Sequence, residues 1–174
     1  GSQKIETITK NEFDKILESV DNSDSHLKLG GKGEVKVMYR KYLKDGFKLF
    51  LFTGARREEV VDLRWSDIYH SGETYFFMIN NKKVERNNNI SGEFYKYMPI
   101  NSDLFELLIE LGYNDKKTSN DFILCPDRYE STLTIMNTLS KSFTFYKNKA
   151  GIQKDVSLKN LRKTYLSWVN QVMG

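Results

Sequence analysis

The chain has 174 residues, 39% hydrophobic and 13% aromatic, which suits one ordinary domain with its own core. No apolar run reaches membrane-spanning length and no secretory leader opens it, so a membrane protein is excluded and a cytoplasmic one expected. One cysteine and two histidines supply neither a disulfide framework nor a zinc set, and Lys+Arg exceed Asp+Glu by 27 to 23, a balance compatible with nucleic acid that does not demonstrate it.

In chain order, Thr9 and Glu12 form a capping box, and Phe13, Ile16, Leu17 and Val20 make one face of the helix that follows. The glycines and polar residues of NSDSHLKLGGKGE predict a loop. A longer helix is predicted over roughly residues 35–52, closed by Gly54, and a further helix lies within TGARREEVVDLRW. SDIYHSGETYFFMIN predicts two short strands about a Ser-Gly turn, and FYKYMPIN a third strand. The polar NNKKVERNNNISGE joins them as a long hairpin tip. Ser102 begins a helix stopped by Gly112, NDFILCP is short and extended, and a helix runs from about Thr132 to Lys149. Ser157 opens the last helix, with Leu158, Leu161, Tyr165, Trp168 and Val172 as its buried seam. The sum is an α+β chain, mostly helical with a small antiparallel β-sheet.

Two helix starts carry cations where the macrodipole disfavours them. Arg56 stands two residues after Gly54, with Arg57 beside it and Glu59 three residues on. Lys159, Arg162 and Lys163 occupy the first turns of the last helix. An anion such as a phosphate, whose oxygens match a guanidinium fork, would relieve both. The alternatives are an intramolecular Arg56–Glu59 pair on a solvated face and an ordinary basic patch. Lys82, Lys83 and Arg86 in the hairpin tip, with Lys96 on the returning strand, are a third basic group. A lysine there can contact a duplex or protonate a leaving oxygen, and solubility alone produces the same pattern. Tyr165 belongs to the apolar seam and reads as core.

Thr53-Gly54-x-Arg56-x-x-Glu59, followed by Leu63-x-Trp65-x-Asp67-Ile68, resembles the first box of the tyrosine recombinase, or phage integrase, family. Leu158-Lys159-Asn160-Leu161-Arg162-Lys163-Thr164 is similar to that family's second box, usually His-x-Leu-Arg-His-Thr. The hairpin ending in Met98-Pro99-Ile100 is similar to the segment with the family's catalytic lysine. The resemblance implies that Arg56 and Arg162 clamp a scissile phosphate, that Glu59 positions Arg56, and that Lys83 or its neighbour Lys82 protonates the leaving 5′-oxygen. Lys159 stands where the family usually has histidine and can still donate to the phosphate. Arg57, Arg86 and Lys163 are expected on the DNA face.

The same resemblance implies metal- and cofactor-free chemistry on double-stranded DNA through a 3′-phosphotyrosyl link, in a bacterial or phage-encoded protein that forms a tetramer on DNA. The family's third box and its nucleophilic tyrosine follow the second box by several tens of residues, and its N-terminal DNA-clamping domain precedes the first. The expectation is therefore a partial catalytic domain over residues 1–174, monomeric in solution and unable to cleave by itself. Two other readings stand beside it: a non-catalytic DNA-binding relative, and a helical protein-interaction domain indifferent to DNA. Salt-dependent duplex binding separates the last from the others.

Overall fold

Helix α1 (Lys10–Asn22) begins at the predicted box: Thr9 Oγ1 accepts the Glu12 N–H at 3.0 Å, and Glu12 Oε1 accepts the Thr9 N–H at 2.9 Å. A computed structural model describes residues 6–80 and 94–173 of the chain. Phe13, Ile16 and Val20 are buried, as their spacing predicts.

The next stretch differs from the expected loop. His26–Leu29 (β1) and Glu34–Val37 (β2) pair as an antiparallel ribbon, with His26 opposite Val37 and Leu29 opposite Glu34. Gly33, at φ 74°, closes the turn between them. Residues 35–37 are thus strand, and helix α2 starts later than predicted, at Leu43, running to Thr53. Each ribbon strand alternates, HLKL and EVKV, but four residues beside a glycine-rich turn carry too little apolar content to outweigh the loop signals. Its base is tied by the Met38 N–H to the Ser25 carbonyl at 2.7 Å, and by Ser142 Oγ to the Met38 carbonyl at 3.2 Å.

Helix α3 (Arg57–Val61) is one short turn inside the TGARREEVVDLRW segment, ending at Asp62. The predicted strands follow as β3 (Ile68–Ser71), β4 (Thr74–Asn80) and β5 (Tyr95–Pro99), an antiparallel sheet in the order β3-β4-β5. Phe77, opposite Met98, and Ile79, opposite Lys96, put one face of this sheet on the core. Helix α4 (Ser102–Leu111) ends at Gly112, a left-handed residue at φ 113°, and the short α5 (Tyr113–Lys116) follows.

The stretch from 119 to 128 is irregular and is pinned by cations. Phe122 has the Arg64 guanidinium at 3.8 Å and that of Arg128 at 3.5 Å from its ring centre, distances that sterics allow only on opposite faces. Arg128 also donates to Asp62 Oδ1 at 3.0 Å and to the carbonyls of Val61 and Leu124 at 2.6 and 3.0 Å, which caps the end of α3. Helix α6 (Thr132–Lys149) is capped by Ser131, whose Oγ accepts the Thr134 N–H at 3.2 Å. A 3-10 turn at Leu158–Asn160 leads into α7 (Leu161–Met173). Helix α6 packs on α1, α2 and α3, and α2 packs on α7, so a single apolar core supports both arginine-bearing segments. The architecture is α+β, mostly helical, with two small antiparallel sheets.

Candidate nucleic-acid interface

The end of α2 fixes where Arg56 stands. Gly54 adopts φ 60°, and its N–H returns to the Phe50 carbonyl at 3.1 Å, a left-handed stop that glycine takes without steric cost. Thr53 Oγ1 donates to the Leu49 carbonyl at 2.6 Å and accepts the Ala55 N–H at 3.3 Å. Asn101 does two jobs: its Nδ2 donates to the Phe52 carbonyl at 3.1 Å, and its Oδ1 caps α4 by accepting the Leu104 N–H at 2.8 Å. The chain leaves this clasp extended, with Arg56 exposed as the cap residue of α3.

Glu59 lies beneath it, buried. Its Oε1 accepts the Arg56 backbone N–H at 3.2 Å and a hydrogen bond from Lys96 Nζ at 2.8 Å. The expectation was that Glu59 holds the Arg56 guanidinium. It grips the backbone instead, and its charge partner is Lys96, because a side chain pointing into the core cannot also reach an outward guanidinium.

Arg162, in the first turn of α7, reaches the same loop. A Cβ placed on Gly54 would sit 2.9 Å from Arg162 Cγ and 3.1 Å from its Cδ, so the arginine stem crosses the bare face of Gly54. Helix α7 is locked in this position from several sides. Leu158 and Leu161 are buried, Thr164 Oγ1 accepts the Ile8 N–H at 3.3 Å, and Trp168 Nε1 donates to the Ile8 carbonyl at 2.8 Å. Tyr165 donates its hydroxyl to Asp103 Oδ2 at 2.9 Å. Burial, and then the neighbouring Asp103 carboxylate, pushes the Tyr165 phenol up to about 12. Tyr165 is a structural bolt, as its place in the seam predicts, although half-buried rather than fully so; the side chain of Val172 lies outside the described residues.

The outcome is two exposed guanidiniums carried by touching segments, neither with a hydrogen-bond or ion-pair partner among the described residues. Lys159, in the 3-10 turn before α7, and Lys163, in the first turn of α7, are exposed. Arg57 points elsewhere: it is half-buried and donates to Ser140 Oγ on α6 at 2.8 Å. Lys82, Lys83 and Arg86 lie outside the described residues. Sequence reasoning missed the Glu59–Lys96 pair and the double role of Asn101, since both join residues more than thirty positions apart. A cleft of about 670 Å³ near Tyr42, Asp45, Cys125 and Tyr129 sits at the far end of α2 from Gly54 and takes no part in this arrangement.

Compared with known families, residues 6–172 match the model described as the phage integrase family. The chain belongs to the phage integrase family. Among solved structures, this integrase-family chain is similar to XerA recombinase, at 20% identity and a TM-score of 0.57, over 100% of this chain and 52% of that one. It is similar also to a lambda integrase (75-356) dimer bound to a COC′ core site, at 14% identity and a TM-score of 0.62, over 100% and 55% of the two chains. For XerH site-specific recombinase bound to its difH substrate, the values are 20% identity and 0.52, over 97% and 44%. At these identities the likeness speaks for the fold. The chain spans about half the length of these structures. A comparison with curated proteins gives no match. Among the described residues of this family member, no helix is long and apolar enough to cross a membrane.

Proposed function

We propose that this chain is the phosphate-binding part of a site-specific DNA recombinase, which cuts and rejoins double-stranded DNA through a 3′-phosphotyrosyl intermediate. The observation that carries the reading is the packing of the Arg162 stem on Gly54, two residues from Arg56, both arginines being exposed and their guanidiniums without a partner among the described residues. Two cations carried on touching segments, without an anionic partner among the described residues, are suited to receive a third, anionic group. The DNA-bound state of the similar lambda integrase and XerH structures supports a phosphodiester as that group.

In this reading the two guanidinium forks bind the non-bridging oxygens of the scissile phosphate and neutralise the charge that builds on them as the phosphorus becomes five-coordinate. Glu59 holds the Arg56 backbone. Lys83, or Lys82, protonates the departing 5′-oxygen, and Lys159 donates to the phosphate in the position where histidine is usual. Lys163 and Arg86 add contacts along the backbone of the duplex. Arg57, engaged with Ser140, contributes by bracing α3 on α6. The attacking tyrosine comes from outside residues 1–174, in accord with Tyr165 being bound to Asp103. The chain is a monomer in solution, and the whole protein assembles as a tetramer on DNA.

The test is duplex binding by the chain over a salt series, beside an Arg56→Ala, Arg162→Ala double variant. Affinity should fall steeply with salt, by a factor set by the number of phosphates contacted, and the double variant should bind at least about tenfold more weakly. Binding untouched by the double change would move the DNA face elsewhere. Absence of binding by the folded wild type would mean either that the family's N-terminal DNA-clamping domain supplies most of the affinity or that the chain is a protein-interaction domain.

A further inference from the structure

Lys96 sits on the wrong face of its strand for a surface lysine. In β5 it alternates with Tyr95 and Tyr97, which are exposed, and shares its face with Met98, which is buried. Its cross-strand neighbour Ile79 and the next pair, Phe77 with Met98, complete that apolar face. A lysine emerging there must find a carboxylate or leave a cation against the core. It finds Glu59: Nζ to Oε1 is 2.8 Å, with 29% of the lysine side chain and 1% of the glutamate side chain exposed. Oε1 is also the atom that accepts the Arg56 N–H. The other oxygen, Oε2, is buried with no hydrogen-bond partner among the described residues.

We propose that Lys96 is a positioning residue for Arg56, acting through the buried Glu59 carboxylate, and this rests on the reading of Arg56 as a phosphate contact. The logic is electrostatic. An ionised carboxylate this deeply buried stays in place only beside a cation, and among the described residues Lys96 is the cation paired with it. With Lys96 removed, the buried Glu59 carboxylate loses its cation and is drawn toward water, which pulls Oε1 away from the Arg56 N–H. The cap residue of α3 then loses its anchor, and the guanidinium it carries loses its fixed origin. Lys96 itself does not touch DNA in this scheme, since its ammonium is engaged below the loop.

The experiment is a variant cycle read by duplex affinity at low salt, with a thermal melt for each protein. Lys96→Met is expected to weaken binding about as far as Arg56→Ala does, roughly five- to tenfold for one charge-assisted contact. Adding it to Arg56→Ala should cause no further loss, and Lys96→Arg should restore most of the affinity. A merely stabilising residue would lower the melting temperature and leave the affinity of the folded protein unchanged. Should Lys96→Met fail to fold, the Glu59→Gln, Lys96→Met pair leaves no lone charge, and its affinity is expected to match that of Glu59→Gln alone, the lysine change being silent in that background. Losses that multiply with Arg56→Ala, or that persist in the Glu59→Gln background, would overturn the proposal. So would an unaffected Lys96→Met beside a weakened Arg56→Ala. If Arg56→Ala itself has no effect on a duplex that the wild type binds, the reading of Arg56 has failed, and the inference falls with it.

Discussion

Gly54 carries two requirements in one position. Its φ of 60° ends α2, and its missing side chain is the space through which the Arg162 stem passes. The first requirement is a backbone one, costing alanine about 1 kcal/mol. The second is steric: a Cβ would meet Arg162 Cγ at 2.9 Å, closer than carbon atoms pack, and the flexible stem must shift to admit it. Gly54→Ala is therefore expected to lower stability by only about 1–2 kcal/mol in a urea melt while weakening duplex binding as much as Arg162→Ala. A variant that lost stability but kept wild-type affinity would mean that the stem's path over Gly54 does not set the guanidinium. Glu59 works at the same scale, one oxygen holding both a backbone N–H and an ammonium.

Among the elements, the β1–β2 ribbon stands apart. All eight of its strand residues are exposed, including Leu27, Leu29, Val35 and Val37. Two strands this exposed draw little stability from packing. Replacing residues 26–37 by a short Gly-Ser turn between Ser25 and Met38 is expected to change stability by less than about 1 kcal/mol, since all eight strand residues removed are exposed. A fall of several kcal/mol in a denaturant melt would show that the ribbon supports the core. This element also marks where the sequence stops being legible. The starts and stops that depend on local chemistry were readable: the Thr9–Glu12 box, the glycine ends at Gly54 and Gly112, and the Ser-Gly turn between β3 and β4. The late start of α2 was not, because it is set by Arg40, whose guanidinium donates to the carbonyls of Val37 and Tyr39, and by Met38 entering the core. The shortness of α3 was likewise hidden, being fixed by Arg128 capping it from 67 positions away.

Across the whole molecule, a modest excess of four positive charges says little, and placement says more. The two arginines were readable as candidates because each stands at a helix start, where a cation is misplaced without an anion. The placing of the Arg162 stem on Gly54 was not, since it depends on α7 lying against α2 and on the N-terminal Ile8 bonding to Thr164 and Trp168. The chain folds around one core so that the Arg162 stem lies on Gly54, two residues from the exposed Arg56, and the central claim is that the two guanidiniums share one phosphate. The direct measurement is a titration of the ¹⁵N-labelled chain with a simple phosphodiester, following the arginine Nε–H signals by NMR. Signals of Arg56 and Arg162 moving together along one binding curve, with the Arg56 shift abolished in Arg162→Ala, is the predicted result. Movement of only one signal, or of the two with separate midpoints, would contradict a shared phosphate.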